Sequence, residues 1–307
     1  MRMHSPVLFL VFNRPEPTAR VFEVIRAAQP PRLYVAADGA RANRMGEAER
    51  CEQTRRVATA VDWPCEVHTL FRDHNLGCKQ AVSRAIDWYF EHEPQGIILE
   101  DDCVADPSFF EYCDELLERY RDDERVALIS GDNFQFGRTH GDASYYFSRY
   151  VHIWGWASWR RTWAHYDRDA GAWPGFRDSG GLRKVLGARS PEIRHWQKVF
   201  SAVHAGKIDT WDYQLNLAMW ANGMVSILPQ KNLVSNIGFG VDATHTHSVS
   251  KFADMPTAAL QFPLRHPSDV QVCRDADDFT ASQMFLRSFA SRALGRVRTI
   301  GQRWFGT

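Results

Sequence analysis

Three consecutive acids, Glu100, Asp101 and Asp102, close the apolar run Gly96-Ile97-Ile98-Leu99 with no basic residue among them. Adjacent carboxylates repel one another and resist desolvation, so a cluster of this kind needs a cationic partner or open solvent. A divalent cation carrying a diphosphate is the simplest partner, because Mg2+ and Mn2+ take oxygen ligands from a few carboxylates plus phosphate. The plain alternative is a solvated strand end that happens to be acidic. A second group is Asp242-Ala243-Thr244-His245-Thr246-His247. Alternate side chains of an extended segment share a face, so His245 and His247 either converge on a metal or diphosphate or belong to an ordinary polar loop.

The elements that must position these residues alternate along the first half of the chain. Val7–Phe12, Leu33–Ala37, Glu66–Phe71, Ile97–Leu99 and Val126–Ser130 read as strands. Pro17–Ala28, Glu47–Val61, Gly77–Phe90 and Pro107–Tyr120 read as helices, the first with proline near its opening turn. This alternation predicts an α/β fold, a Rossmann-like, mostly parallel sheet with helices on both faces. Ligands of such sheets lie beyond the carboxyl ends of the strands. The rule puts Asn13-Arg14, Asp38-Gly39, the loop Arg72–Gly77 and the acidic tripeptide along one rim. Four polar strand ends on one edge are harder to explain by chance than the tripeptide alone.

The second half is less regular. Ser144–Trp159 is aromatic and contains glycine, Asp167–Gly187 reads as loop, and Pro191–Ala205 and Trp211–Asn222 read as helices. Short strands follow at Met224–Leu228 and Asn232–Ser235, then a polar Gly/His-rich loop over Asn236–Asp254. No internal repeat or low-complexity tract is present.

The chain has 307 residues, enough for one large or two small domains, and a formal net charge of +0, so nothing global points to nucleic acid. Eleven tryptophans include Trp154, Trp156, Trp159, Trp163 and Trp173, which suit either a core or a platform for sugar rings. The six cysteines form no CxxC pair and no His-Cys zinc spacing, which fits reduced thiols. The apolar run from Pro6 to Phe12 is too short for a signal segment, and no stretch has the length of a membrane span.

Ile97-Ile98-Leu99-Glu100-Asp101-Asp102, followed by Pro107-Ser108-Phe109-Phe110-Glu111-Tyr112, resembles the GT-A nucleotide-sugar glycosyltransferases. Among these it is most similar to the N-acetylglucosaminyltransferases that initiate complex N-glycans and their bacterial relatives. Trp154-Gly155-Trp156, Trp211-Asp212 and Phe239-Gly240 extend the resemblance over roughly Pro6 to Gly240. It implies that Asp102 binds Mn2+ or Mg2+, that Asp101 meets the ribose, and that Glu100 meets the sugar or a neighbouring backbone group. It further implies that Arg14 reaches the phosphates or the uracil and that Asp38 accepts from the base. Asn13, Asn75, Gly77, Lys79 and Trp156 complete the donor site, and His247 is a further candidate metal ligand. Asp212 becomes the general base of an inverting transfer, with neighbouring Asp209 a decoy for that role. The bland readings stand beside these: a surface ion pair for Arg14, a turn before Gly39 for Asp38, a helix cap for Asn75, and a carboxylate favoured by the helix dipole for Asp212.

On this resemblance residues 1–135 form a nucleotide-sugar-binding half and 136–260 an acceptor and catalytic-base half, with 261–307 an extension. The donor is expected to be a UDP-sugar and the acceptor a glycan or a lipid-linked molecule. The extension carries Arg287, Arg292, Arg296, Arg298 and Arg303, with Phe285, Phe289, Ala293, Val297 and Trp304 at near-helical spacing. Such a basic amphipathic helix over Met284–Phe305 either lies on an anionic membrane or packs on its own domain. A cytoplasmic enzyme, peripheral at the inner membrane face, is the expected setting. Two rivals are a non-catalytic membrane-associated protein and a sugar-1-phosphate nucleotidylyltransferase. The latter wants a Gly-rich phosphate loop where this chain has Asn13-Arg14-Pro15-Glu16-Pro17.

Overall fold

The computed structural model describes residues 3–239 and 251–286. Gly240, His245, His247 and the arginine-rich segment 287–307 lie outside the described residues.

In chain order the elements open with β1 (Val7–Val11), α1 (Pro15–Ala28), β2 (Arg32–Ala37), α2 (Glu47–Ala58) and β3 (Glu66–Phe71). Next come α3 (Cys78–His92), β4 (Gln95–Glu100), β5 (Cys103–Ala105), α4 (Ser108–Arg119) and β6 (Val126–Ser130). The second half holds β7 (Tyr145–Ser148), β8 (Trp156–Trp159), α5 (Arg160–Trp163), α6 (Trp173–Asp178), α7 (Gly181–Leu186) and α8 (Ser190–His204). It ends with α9 (Asp212–Ala221), β9 (Val225–Pro229), β10 (Val234–Asn236) and α10 (Arg274–Met284).

One eight-stranded sheet runs in the order β3-β2-β1-β4-β8-β6-β9-β7. The pairs β1·β2, β1·β4, β2·β3 and β6·β9 are parallel, so the mostly parallel α/β architecture stands. Strands β1, β4 and β6 are near-continuous apolar runs, as burial on both faces demands. Edge strand β3 instead exposes alternate residues. One face is covered by α1, α2 and α4 through Val21, Phe22, Ile25, Ala58, Phe109 and Leu116. The other is covered by α3, α5 and α9 through Ile86, Tyr89, Trp163, Leu215 and Met219. Helix α1 starts two residues before its expected onset, with Pro15 and Pro17 both in its first turn where missing N–H groups cost little.

Two features depart from the sequence reading. Strand β8, inside the aromatic stretch, slots antiparallel between β4 and β6, pairing Ile98 with Trp156 and Trp156 with Ser130. Residues expected as loop over 167–187 instead contain α6 and α7, whose Trp173, Leu182 and Leu186 pack with Trp196 and Phe200 of α8. Helices of six residues have too short a period to stand out, and their stability comes from tertiary burial. Trp156, Trp159, Trp163 and Trp173 are all buried, so most of the indole cluster is core. The six cysteines are free. No helix among the described residues is long and apolar enough to cross a membrane.

Candidate functional site

The parallel registers align four strand ends. Val11 pairs with Ala37, Ala37 with Phe71, and Leu10 with Glu100. The residues just beyond them, Arg14, Asp38, Arg72 and Glu100–Asp102, therefore meet at one rim, and together they line a cleft of about 430 Å³. A two-stranded antiparallel sheet closes one end. Strand β5 starts directly after the acidic tripeptide and pairs with β10, Cys103 opposite Asn236, which carries Asn236, Gly238 and Phe239 into the cleft wall.

Among the described residues, Arg14 is the cation paired with the acids. The Arg14 guanidinium is ion-paired to Asp101 and lies 2.9 Å from Asp102 Oδ2. Asn236 Nδ2 donates to the other Asp102 oxygen at 3.2 Å, and the Ile237 N–H donates to the Asp102 carbonyl at 2.9 Å. A Cβ on Gly238 would collide with the Asp102 carboxylate, so only glycine lets the backbone cross there. Burial raises the Glu100 carboxyl above the usual range, and the charges of Asp102 and Asp101 raise it further. Asp101 is also raised by burial, against the lowering effect of Arg14. Burial alone would lower Arg14, yet the two aspartates more than reverse this and hold it firmly charged.

Asp101 and Asp102 share the Arg14 guanidinium between them, and the donors of the cluster are hard oxygens, which fits a divalent cation. Among the described residues no three acidic, histidine or cysteine side chains converge as a ready metal cage. A cation here would therefore rely on one or two carboxylates and complete its shell with phosphate oxygens and water.

Asp38 faces its own chain. It accepts the backbone N–H groups of Leu76 at 3.0 Å and Gly77 at 3.2 Å, and the Asn75 amide at 2.9 Å. This folds the loop after β3 onto the end of β2. Burial raises the Asp38 carboxyl, and these backbone donors partly offset it. Asn75 thus anchors the loop and does not cap α3. The cap position is Gly77, at φ 79, with no side-chain cap bond. Asp209 approaches instead and accepts the Lys79 N–H at 3.2 Å. Cys78, also in the wall, is pushed up to about 12 by burial and nearby carboxylates, so its thiol stays protonated.

Three residues expected in the donor site are not in the cleft wall. Asn13 turns toward α2, its amide 2.9 Å from Glu47 Oε1, because Glu47 sits buried beside Arg41 and needs donors. Lys79 instead pairs with Asp169, its Nζ 2.9 Å from Oδ1. Trp156 lies beneath the site, 1% exposed and stacked on Trp211 at 5.7 Å. Trp154 lines the cleft in its place and meets Phe239 edge-on at 5.6 Å. Asp212 opens α9, receives the Thr210 hydroxyl, and is close enough for its charge to act on Glu100 and Cys78. It is Asp209, though, that lines the cleft.

The wall also holds residues to which the sequence reading gave no role: Arg41, Arg72 and Asn236. Arg72 was within reach of the strand-end rule, since it directly follows β3. Asn236 was not, because only the non-local β5·β10 pairing brings it to Asp102.

No protein-family model matches the chain, and no curated protein matches it. Among solved structures it is similar to HddC from Yersinia pseudotuberculosis, at 11% identity and a TM-score of 0.33 over 53% of this chain and 80% of that one. It is similar to a UDP-glucose pyrophosphorylase complexed with UDP-glucose, at 9% identity and a TM-score of 0.37 over 74% and 90%. It is also similar to a mannose-1-phosphate geranyltransferase from Thermus thermophilus, at 14% identity and a TM-score of 0.37 over 74% of each chain. Similarity of this order bears on neither activity nor substrate.

Proposed function

We propose that the chain is a GT-A-type glycosyltransferase that moves a sugar from a nucleoside diphosphate, UDP by resemblance, to a glycan or lipid-linked hydroxyl. The supporting observation is the cleft at the carboxyl rim, where Glu100, Asp101 and Asp102 face a space also lined by Arg14, Arg41 and Arg72. Paired acids and guanidiniums suit a ligand whose anionic diphosphate arrives with a cation. Asp102, with Asp101 beside it, would hold Mn2+ or Mg2+, and that ion would neutralise charge on the departing nucleoside diphosphate. Arg72 and Arg41 offer guanidiniums to phosphate or base. Trp154 and Phe239 offer flat apolar faces to a sugar ring. Asp212 takes the proton of the acceptor hydroxyl as that oxygen attacks the anomeric carbon from the face opposite the leaving group, which inverts its configuration. The two Pro residues after Arg14 remove backbone donors, which disfavours a triphosphate-binding nucleotidylyltransferase.

The test is a screen of nucleotide sugars for protection against thermal unfolding, with and without Mn2+, since a ligand bound to the folded state alone raises its melting temperature. A Mn2+-dependent shift of several degrees with one donor class is expected. No shift with any nucleotide sugar would overturn the reading.

A further inference from the structure

We propose that Arg14 is the resident counter-cation of the acidic motif and changes partners when the site loads, leaving Asp102 to a divalent ion and turning to the donor's diphosphate. This rests on the metal-dependent reading above. Both oxygens of the Asp102 carboxylate already have donors in the protein. Arg14 holds one oxygen and Asn236 the other, and Gly238 lies against the group with no room for a side chain. Of these neighbours only Arg14 carries charge.

A divalent ion on Asp102 would sit within a few ångströms of that guanidinium. The side chains of Arg14, Asp101 and Asp102 are only 17%, 6% and 13% exposed, so water screens the repulsion poorly. The guanidinium and the ion then compete for the charge of one carboxylate. Neutral Asn236 can stay, and Asp101 still anchors the Arg14 side chain near the cleft. A guanidinium freed from Asp102 keeps N–H donors for phosphate oxygens in the space that it lines. Cation and nucleotide should then load cooperatively. Metal alone must displace Arg14 without offering it a new partner, whereas the diphosphate supplies both the partner and ligands for the ion.

The experiment measures Mn2+ binding calorimetrically, without nucleotide and then with UDP, for the wild type and for Arg14→Gln, Arg14→Lys and Arg72→Gln. Arg72 lines the same cleft but touches neither aspartate, so it controls for a general loss of positive charge. Thermal unfolding confirms that each variant is folded. Arg14→Gln should bind Mn2+ alone about tenfold or more tightly than wild type, and Arg72→Gln within about threefold of it. UDP should tighten Mn2+ binding in wild type far more than in Arg14→Gln. Arg14→Lys, which keeps the charge but cannot bridge both aspartates, should fall between and serves alone should Arg14→Gln not fold. Unaltered Mn2+ affinity in a folded Arg14 variant, or an equal gain in Arg72→Gln, overturns the exchange while leaving the metal site standing. If no protein binds Mn2+ with or without UDP, the metal-dependent reading falls, and the exchange with it.

Discussion

Asp209 Oδ1 accepts the backbone N–H of Lys79 at 3.2 Å, although the two residues are 130 positions apart. The contact fastens the start of α3, which follows the cleft loop, to the segment that leads into α9. A carboxylate suits this place because the first N–H groups of a helix lack internal acceptors and carry partial positive charge.

Gly77 makes the contact possible, and its replacement should show this. A Cβ there would stand 3.0 Å from Asp209 Oδ2, on a residue whose φ is 79. Gly137, at φ 87, has no atom within 4 Å of its built Cβ. Both Ala variants bear the strain of a positive φ, larger at Gly77, whose ψ of 164 puts it in a region essentially reserved for glycine, and Gly77→Ala must also push Asp209 off the helix start. Chemical denaturation should place Gly77→Ala clearly below Gly137→Ala, with weaker nucleotide protection. Equal losses would mean that Asp209 gives way freely.

Asp38 separates two roles that its sequence position left together. If it organises the loop, Asp38→Ala leaves the N–H groups of Leu76 and Gly77 without their acceptor and should cost about 2–3 kcal/mol of stability. If it serves only to read a base, stability should hold and nucleotide binding alone should fall. The observed hydrogen bonds favour the first outcome, and denaturant titration of the unliganded protein decides it.

What was legible in the chain follows the range of the interactions. Strand runs such as Val7–Val11 and Val126–Ser130 announce themselves because burial on both faces requires continuous apolar sequence. The rim followed from topology alone, since parallel strands align their ends. The insertion of β8 was not legible, because Trp156–Trp159 reads equally as core or as a platform for sugar rings and its place is set by partners on β4 and β6. Side-chain aim was equally hidden. Asn13 sits on the rim in sequence, but the buried Glu47 draws it away from the cleft.

That Glu47 also sets an acid limit on stability. Its side chain is 1% exposed, receives the Arg41 N–H at 2.7 Å, and is held at about 2 by hydrogen bonding to the Arg41 side chain against the opposing effect of burial. The usual glutamate value is 4.5, so the folded value is depressed. Its contribution is therefore complete above about pH 4.5 and is lost as pH falls from there toward 2. Glu47→Gln should be less stable at pH 7 and show a shallower loss across that interval. Parallel acid-unfolding curves for the two proteins would refute the assignment.

The choice between Asp212 and Asp209 as proton acceptor can be made kinetically, because the two carboxylates are placed for different work. Asp209 lines the cleft with one oxygen on the start of α3, so Asp209→Asn should chiefly raise the donor KM and lower the melting temperature. Asp212 opens α9 under the Thr210 hydroxyl, near enough to Glu100 for the two charges to interact. A general base contributes about 10²–10⁴-fold to the chemical step, so Asp212→Asn should lower kcat by that order with donor KM little changed. The amide keeps the shape and can still accept from Thr210, which leaves proton acceptance as the property removed. A kcat collapse in Asp209→Asn with an intact Asp212→Asn would move the base to the residue in the cleft wall and leave α9 a packing role, with Leu215 and Met219 on the sheet and Trp211 against Trp156.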